Sequence, residues 1–170
     1  IILTESRNSC YNLLLMKKYK VGLIIGRFQP FHKGHLYLIK QALKYVESLI
    51  IAVGSSNVIN EKNPFSFEER KKYIEFSLSK HKLLSRIKKI VPINDYPDDD
   101  DYWLKQLKKK TRTFDVAFGN NEWVNEIMES RGVKVVRFPF HMRDIYEGAK
   151  IRGEMKKSKN PEEILNKHLP

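Results

Sequence analysis

A single cysteine, Cys10, stands in a chain of 170 residues, so no intramolecular disulfide can form and the disulfide-stapled secreted class is excluded. No apolar run approaches the roughly 20 residues that span a bilayer as a helix, and Leu13-Leu14-Leu15-Met16 is too short even for a signal-peptide core. Internal repeats, low-complexity tracts and long linkers are missing as well, which leaves one domain. These absences lead us to expect a soluble, cytoplasmic protein that does not engage a membrane. Acidic residues are the minority: 20 Asp and Glu face 32 Lys and Arg, for a net charge of +12. The surplus implies an anionic partner, which could be nucleic acid, a membrane surface or the phosphates of a small molecule. Hydrophobic residues at 41% are enough to build a core, so disorder is excluded for the chain as a whole.

Residues 1–15 show no period and precede Met16-Lys17-Lys18, which has the form of a translation start. They are expected to be a poorly ordered extension, with a single domain over 16–170. From there short β-branched runs alternate with helical periodicity. Strands are predicted from Val21 to Gly26, Leu49 to Gly54, Ile87 to Ile93, Phe114 to Phe118 and Val133 to Phe138. Helical spacing joins Leu36, Leu38, Ile39, Ala42, Leu43 and Val46. Ser66 with Glu69 forms a capping signature for a helix to about Lys80. Further helices are expected at Tyr102 to Lys110 and Asn120 to Ser130, with one or two more at the end. Continuous apolar strands separated by helices imply a doubly wound, five-stranded parallel sheet, an α/β Rossmann-like fold. Such sheets bind ligands beyond the carboxyl ends of their strands.

The most informative stretch, Gly26-Arg27-Phe28-Gln29-Pro30-Phe31-His32-Lys33-Gly34-His35, joins the first strand to the first helix. There Arg27, His32, Lys33 and His35 lie at the sheet's carboxyl edge beside free backbone N–H groups and a positive helix-dipole end, which suits a polyphosphate. Gly34 leaves room for a phosphate to approach the backbone. Two imidazoles three residues apart can both donate to anionic oxygens. Ordinary surface histidines are the bland alternative, and a metal site is disfavoured because no Cys, Asp or Glu nearby completes a ligand set.

The segment resembles the H-x-G-H signature of the nucleotidyltransferase superfamily, and the longer string is similar to the archaeal-type nicotinamide-mononucleotide adenylyltransferases. Gly54-Ser55-Ser56, Asn63-Pro64-Phe65 with Glu69-Arg70, Trp103, Gly119-Asn120, and Arg143 through Arg152 fall where that family has its motifs. The resemblance covers about residues 20 to 157. It implies the nucleotidyltransferase form of the Rossmann-like fold and transfer of AMP from ATP to nicotinamide mononucleotide, giving NAD and pyrophosphate. Nicotinate mononucleotide, phosphopantetheine, flavin or polyol phosphates stand as alternative acceptors.

It also implies that His35 contacts the α-phosphate, that His32 and Arg152 hold the β- and γ-phosphates, and that Arg27 bridges the two substrates' phosphates. Gly26, Phe28, Lys33, Gly34, Gly54, Ser55, Arg70, Trp103, Gly119, Asn120, Arg143 and Gly148 are the expected nucleotide contacts. Mg2+ would come with ATP, held by its phosphates and water. The family commonly forms homo-oligomers. The second phosphate motif, usually S-x-T-x-x-R, departs here: Glu147 and Ala149 replace the hydroxyl residues.

Trp103 reads equally as a nicotinamide-stacking residue or as core beside Leu104 and Leu107. Trp123 reads as core or interface. Asp98 to Asp101 read as a solvated helix start, and Met155 to Lys159 as a basic helix end. The basic face from Lys105 to Arg112 reads as solvation. A nucleic-acid-binding module is disfavoured, because no strands interleave aromatics as a single-strand RNA platform would.

Overall fold

The computed structural model describes residues 19–139 and 141–170; the expected extension over 1–15 lies outside them. Five strands, β1 (Tyr19–Gly26), β2 (Val46–Val53), β3 (Ile87–Pro92), β4 (Val116–Phe118) and β5 (Val135–Val136), alternate with helices. The helices are α1 (Lys33–Ala42), α2 (Phe67–Lys80), α3 (Asp100–Thr111), α4 (Glu122–Glu129), α5 (Gly148–Lys157) and α6 (Pro161–His168). The strand order is β3-β2-β1-β4-β5, and every pairing is parallel. Strand order therefore reverses at β1, and a crevice opens between the carboxyl ends of β1 and β4.

Alternation along each strand divides the core into two layers. Ile24, Leu49, Ile51 and Val53 pack with Leu36, Ile39, Ile74 and Leu78 of α1 and α2. On the opposite face Leu23, Ile50 and Ala52 pack with Trp103, Leu104 and Leu107 of α3 and Val124, Ile127 and Met128 of α4. Successive residues of one strand thus serve different layers, as the period-2 geometry of a strand requires. At Gly22 a Cβ would lie 2.7 Å from the Phe118 ring and 2.8 Å from Leu49, so β1 passes its neighbours at a point only glycine fits.

The boundaries depart from expectation where short apolar runs are ambiguous. Val46 is not the last helical residue: α1 stops at Ala42, and Val46, fully buried, opens β2 opposite Tyr19. Its β-branched side chain suits the ladder that the turn at 43–45 makes available. β4 loses Phe114 and Asp115 because the Asp115 carboxylate accepts from the backbone N–H groups of Lys20 and Val21 at 2.9 and 2.8 Å. α2 begins as its capping signature predicts: the Ser66 N–H donates to Glu69 Oε2 at 2.8 Å, and Ser66 Oγ accepts from the Glu69 N–H. The aspartate run starts α3, with Asp99 Oδ1 accepting from the Tyr102 N–H at 2.9 Å. Lys156 and Lys157 end α5.

Candidate functional site

The turn from β1 into α1 carries most of the polar machinery. His32 caps α1 in extended conformation (φ −148°, ψ 172°) and His35 sits three residues on, one helical turn up the same face. The two rings stack with centroids 3.7 Å apart and planes 25° apart. The His32 backbone N–H donates to His35 Nδ1 at 3.2 Å, so a neutral His35 keeps its proton on Nε2 as a donor. His32 is only 7% exposed, and its Nδ1 is buried without a hydrogen-bond partner among the described residues.

Both imidazoles are held neutral. Burial, and secondarily its proximity to His168, lowers His32 to about 4. Burial, then His32 itself, holds His35 well below its ordinary value. The pair therefore meets an anion as hydrogen-bond donors, and the positive charge comes from arginines. Arg152 Nη1 donates to the Gln29 carbonyl at 2.6 Å, and its pKa is lowered by burial and by neighbouring Arg27.

Glycines make this packing possible. A Cβ at Gly34 would lie 3.0 Å from the His32 ring and 3.3 Å from Tyr146, so the residue makes room for the imidazole as well as for any ligand. A Cβ on Gly148 would meet the Gln29 carbonyl at 2.9 Å, which lets α5 start directly against the turn. Phe28 takes a left-handed φ of 50°, a strained conformation for a bulky residue. Gln29 anchors the turn: its Nε2 donates to the Phe65 carbonyl at 2.8 Å and its Oε1 accepts from the Phe65 N–H at 3.0 Å.

Two cavities flank the end of β1. One, of about 440 Å³, is bordered by Gly26, Arg27, His32, Gly34, His35, Asn120, Arg143 and Gly148, with Glu147 and the rings of Tyr37, His141 and Tyr146. Tyr37 stacks on His141 at 4.4 Å and 14°. The other, of about 350 Å³, is bordered by Gly54, Ser55, Trp103, Trp123, Tyr96, Asp95 and Asp98. Gly26 and Arg27 line both.

Four expected contacts border neither cavity, among them Arg152, whose Nη1 is bonded to the Gln29 carbonyl. Lys33 is exposed and lines neither cavity; its Nζ lies 6.0 Å from the Tyr146 ring centroid. Position 33 follows the cap, so its side chain leaves the helix rotated about 100° from that of His32. Arg70 is wholly buried beneath the turns and bonded to backbone carbonyls rather than aimed at ligand space. Gly119 also lines neither cavity; its carbonyl accepts from Asn125 Nδ2. Phe28 borders the first cavity, but its ring is core.

Trp103 is a core residue, 4% exposed within the α3 layer, that also forms part of the second cavity's wall. Trp123, read as core or interface, is not core: it is 56% exposed at that cavity, its ring 6.0 Å from Trp103's. Asp95, Tyr37 and His141 were not expected at all. Their only signal is position, one just past β3, one on the turn of α1 above His35, and one in the loop before α5.

The sequence profile of the cytidylyltransferase-like family matches residues 23–164. Nicotinamide-nucleotide adenylyltransferase of Halorubrum lacusprofundi is 33% identical over 135 residues, covering 79% of this chain and 74% of that protein. The enzyme of the same name from Thermoplasma acidophilum is 35% identical over 140 residues, covering 82% and 76%. Among solved structures, a bifunctional NMN adenylyltransferase/ADP ribose pyrophosphatase from Francisella tularensis superposes with a TM-score of 0.72 at 28% identity, over 84% of this chain. This chain spans only 44% of that larger protein. A second structure of it, with a TM-score of 0.69, contains AMP and a manganese ion.

Proposed function

Because the chain belongs to the cytidylyltransferase-like family, we propose that it transfers the adenylyl group of ATP to nicotinamide mononucleotide, forming NAD and releasing pyrophosphate. The observation that carries this reading is the pair of cavities meeting at Gly26 and Arg27: one, bordered by imidazoles and arginines, would take the triphosphate, the other, bordered by two tryptophans, the second nucleotide, and their phosphates would meet at the shared turn.

A phosphate oxygen of the mononucleotide attacks the α-phosphorus of ATP, and the bond from that phosphorus to the β-phosphate's bridging oxygen breaks. The attacking phosphate is largely dianionic at pH 7, its second pKa being about 6, so no general base is required. Catalysis then consists of alignment and charge stabilisation. His35, neutral and with its proton on Nε2, donates to the α-phosphate. His32 and Arg152 hold the leaving β- and γ-phosphates, and Arg27 spans the two substrates. The cavity's two carboxylates, Glu122 and Glu147, are each paired with a cation, Arg137 and Lys150, and no cluster of three His, Cys, Asp or Glu forms among the described residues, so magnesium is carried in on the triphosphate as part of the substrate. Glu147 borders the same cavity with its carboxylate 3.8 Å from Lys150 Nζ, a partner that offsets its repulsion of phosphate.

Nicotinamide is favoured over nicotinate as the acceptor's base. The second cavity has Asp95 and Asp98 in its wall and, among the described residues, Arg27 at the shared turn as its only Lys or Arg. A nicotinate carboxylate would be repelled there, whereas a cationic pyridinium with a neutral amide would not. Trp103 and Trp123 supply flat faces for that ring.

The test is to incubate the protein with ATP, magnesium and a panel of phosphorylated acceptors and identify the product released with pyrophosphate. NAD from nicotinamide mononucleotide is the expected outcome, and absence of product with every acceptor would overturn the reading. Homo-oligomeric assembly, measurable by sedimentation velocity, and a cytoplasmic place of action, consistent with the lone cysteine, belong to the same reading.

A further inference from the structure

Arg27 lines both cavities, and what holds its backbone there comes from below the site. Arg70, on the first turn of α2, is 0% exposed. Its Nη1 donates to the carbonyls of Arg27 and Gly54, each at 2.7 Å, its Nε to the Ser66 carbonyl at 3.1 Å, and its Nη2 approaches the Ser55 carbonyl at 3.5 Å. Arg27 and Gly54 are the residues that follow β1 and β2, where the Gly54 N–H also donates to the Gly26 carbonyl at 2.9 Å. One guanidinium thus ties the carboxyl ends of the two central strands to the start of α2.

No ion pair to Arg70 is present among the described residues, although Asp95 and Glu69 lie within electrostatic range. A wholly buried cation without a carboxylate partner is costly, and it persists where the surrounding acceptors demand it. The demand here is geometric. Two carbonyls from different strands converge on one nitrogen, a planar fork satisfies the others, and a lysine ammonium has neither the reach nor the shape to do the same. The turn it grips also contains the left-handed Phe28, which needs external restraint to persist.

We propose that Arg70 is a positioning residue for adenylyl transfer. It locks the Arg27 backbone against the end of β2 so that the Arg27 side chain stays between the two substrates, and it touches neither. This rests on the proposed function. It differs from the expectation that Arg70 reaches a phosphate, and the two make opposite kinetic predictions. A phosphate ligand lost from a single cavity raises KM for that substrate. A lost alignment lowers kcat with both substrates still bound, since small misplacements of reacting groups reduce rate about 100-fold.

The test is a kinetic double-mutant cycle on the full chain with Arg70→Lys, Arg27→Ala and the double variant, with thermal melting run in parallel. Arg70→Lys should lower kcat about 10- to 100-fold, leave both KM values within about threefold, and have at most about a twofold effect once Arg27 is alanine. Additive losses, an unchanged kcat, or a large rise in the KM for ATP alone would overturn the proposal. If Arg70→Lys does not fold, Arg70→Gln takes its place in the cycle. Failure of both to fold would show that the residue holds the fold and not the reaction. A wild-type protein that makes no dinucleotide would remove the proposed function and this inference together, whereas additivity in an active enzyme removes the inference alone.

Discussion

The two cavities that share Gly26 and Arg27 are built from opposite materials. The first has imidazoles, arginines and the open start of two helices, and its inner wall is pinned by hydrogen bonds from Gln29, Arg152 and Arg70. The second has two tryptophans, a tyrosine and two aspartates, with Trp103 packed into a core layer and Trp123 exposed. The difference matches what each would hold: polyphosphate charge needs donors fixed in advance of its arrival, whereas a flat ring needs faces. It also assigns each cavity a different failure. Loss of a donor to the transferred α-phosphate in the first should appear in turnover, and loss of a flat face in the second in affinity for the acceptor.

The largest effect is expected at His35. Replacing it with alanine should cut turnover by about 100- to 1,000-fold, as loss of one preorganised donor does elsewhere, while circular dichroism stays native. Full retained activity would remove His35 from the first cavity's chemistry. Trp103→Ala should destabilise the protein by about 3–5 kcal/mol in urea unfolding, because it empties a core position as well as a cavity wall.

The buried histidines make the first cavity sensitive to acid. The folded value of His32 lies near 4, below its ordinary 6.5, so between those limits the unfolded chain binds the proton that the folded one refuses. Stability is therefore complete above pH 6.5 and is lost as pH falls towards 4, by on the order of 3 kcal/mol from His32, and His35 adds in the same direction. The lowered carboxylates, among them Glu69 and Glu154, act only below their ordinary 4.5, a separable window. Unfolding curves at pH 7.5, 6 and 5 would read this slope, and His32→Ala should flatten it.

Trp123→Ala sharpens the contrast with Trp103. Exposed as it is, its loss should change stability by no more than about 0.5 kcal/mol yet raise the KM for the acceptor about tenfold, since stacking contributes about 1–3 kcal/mol per base. An unchanged KM would leave the second cavity with only one working wall. The smallest effect is expected from Glu147→Ser, which removes a carboxylate from the phosphate cavity and restores a hydroxyl. The KM for ATP should fall about fivefold, the scale of one screened like-charge contact of about 1 kcal/mol.

The strand–helix alternation, the parallel sheet, the N-cap at Ser66, the helix start in the Asp98 to Asp101 run, and the importance of the Gly26 to His35 turn were all legible from local pattern. Each depends on neighbours in the chain. Periodicity marks a buried face, a capping residue bonds three positions ahead, and a glycine-bearing strand-to-helix turn advertises itself. Val46 was misread because one β-branched residue satisfies either period at a boundary.

What the chain order could not show is which side of a helix meets which strand end. Arg70 and Lys33 each stand within a motif and carry the right charge, yet packing turned one beneath the site and the other away from it. Trp103 and Trp123 look alike in sequence, and the sheet's two-layer core buried one and exposed the other. Asp95, Tyr37 and His141 reached the cavities by no pattern of their own. The sequence by itself determined that a turn rich in His, Arg and Gly would sit at the carboxyl edge of a parallel sheet, because that follows from short-range geometry. Only the tertiary structure decided how two cavities share that turn, because the partners that hold it, Phe65, Arg70 and Arg152, lie 36 to 123 residues away and act through backbone carbonyls and N–H groups that every residue carries alike.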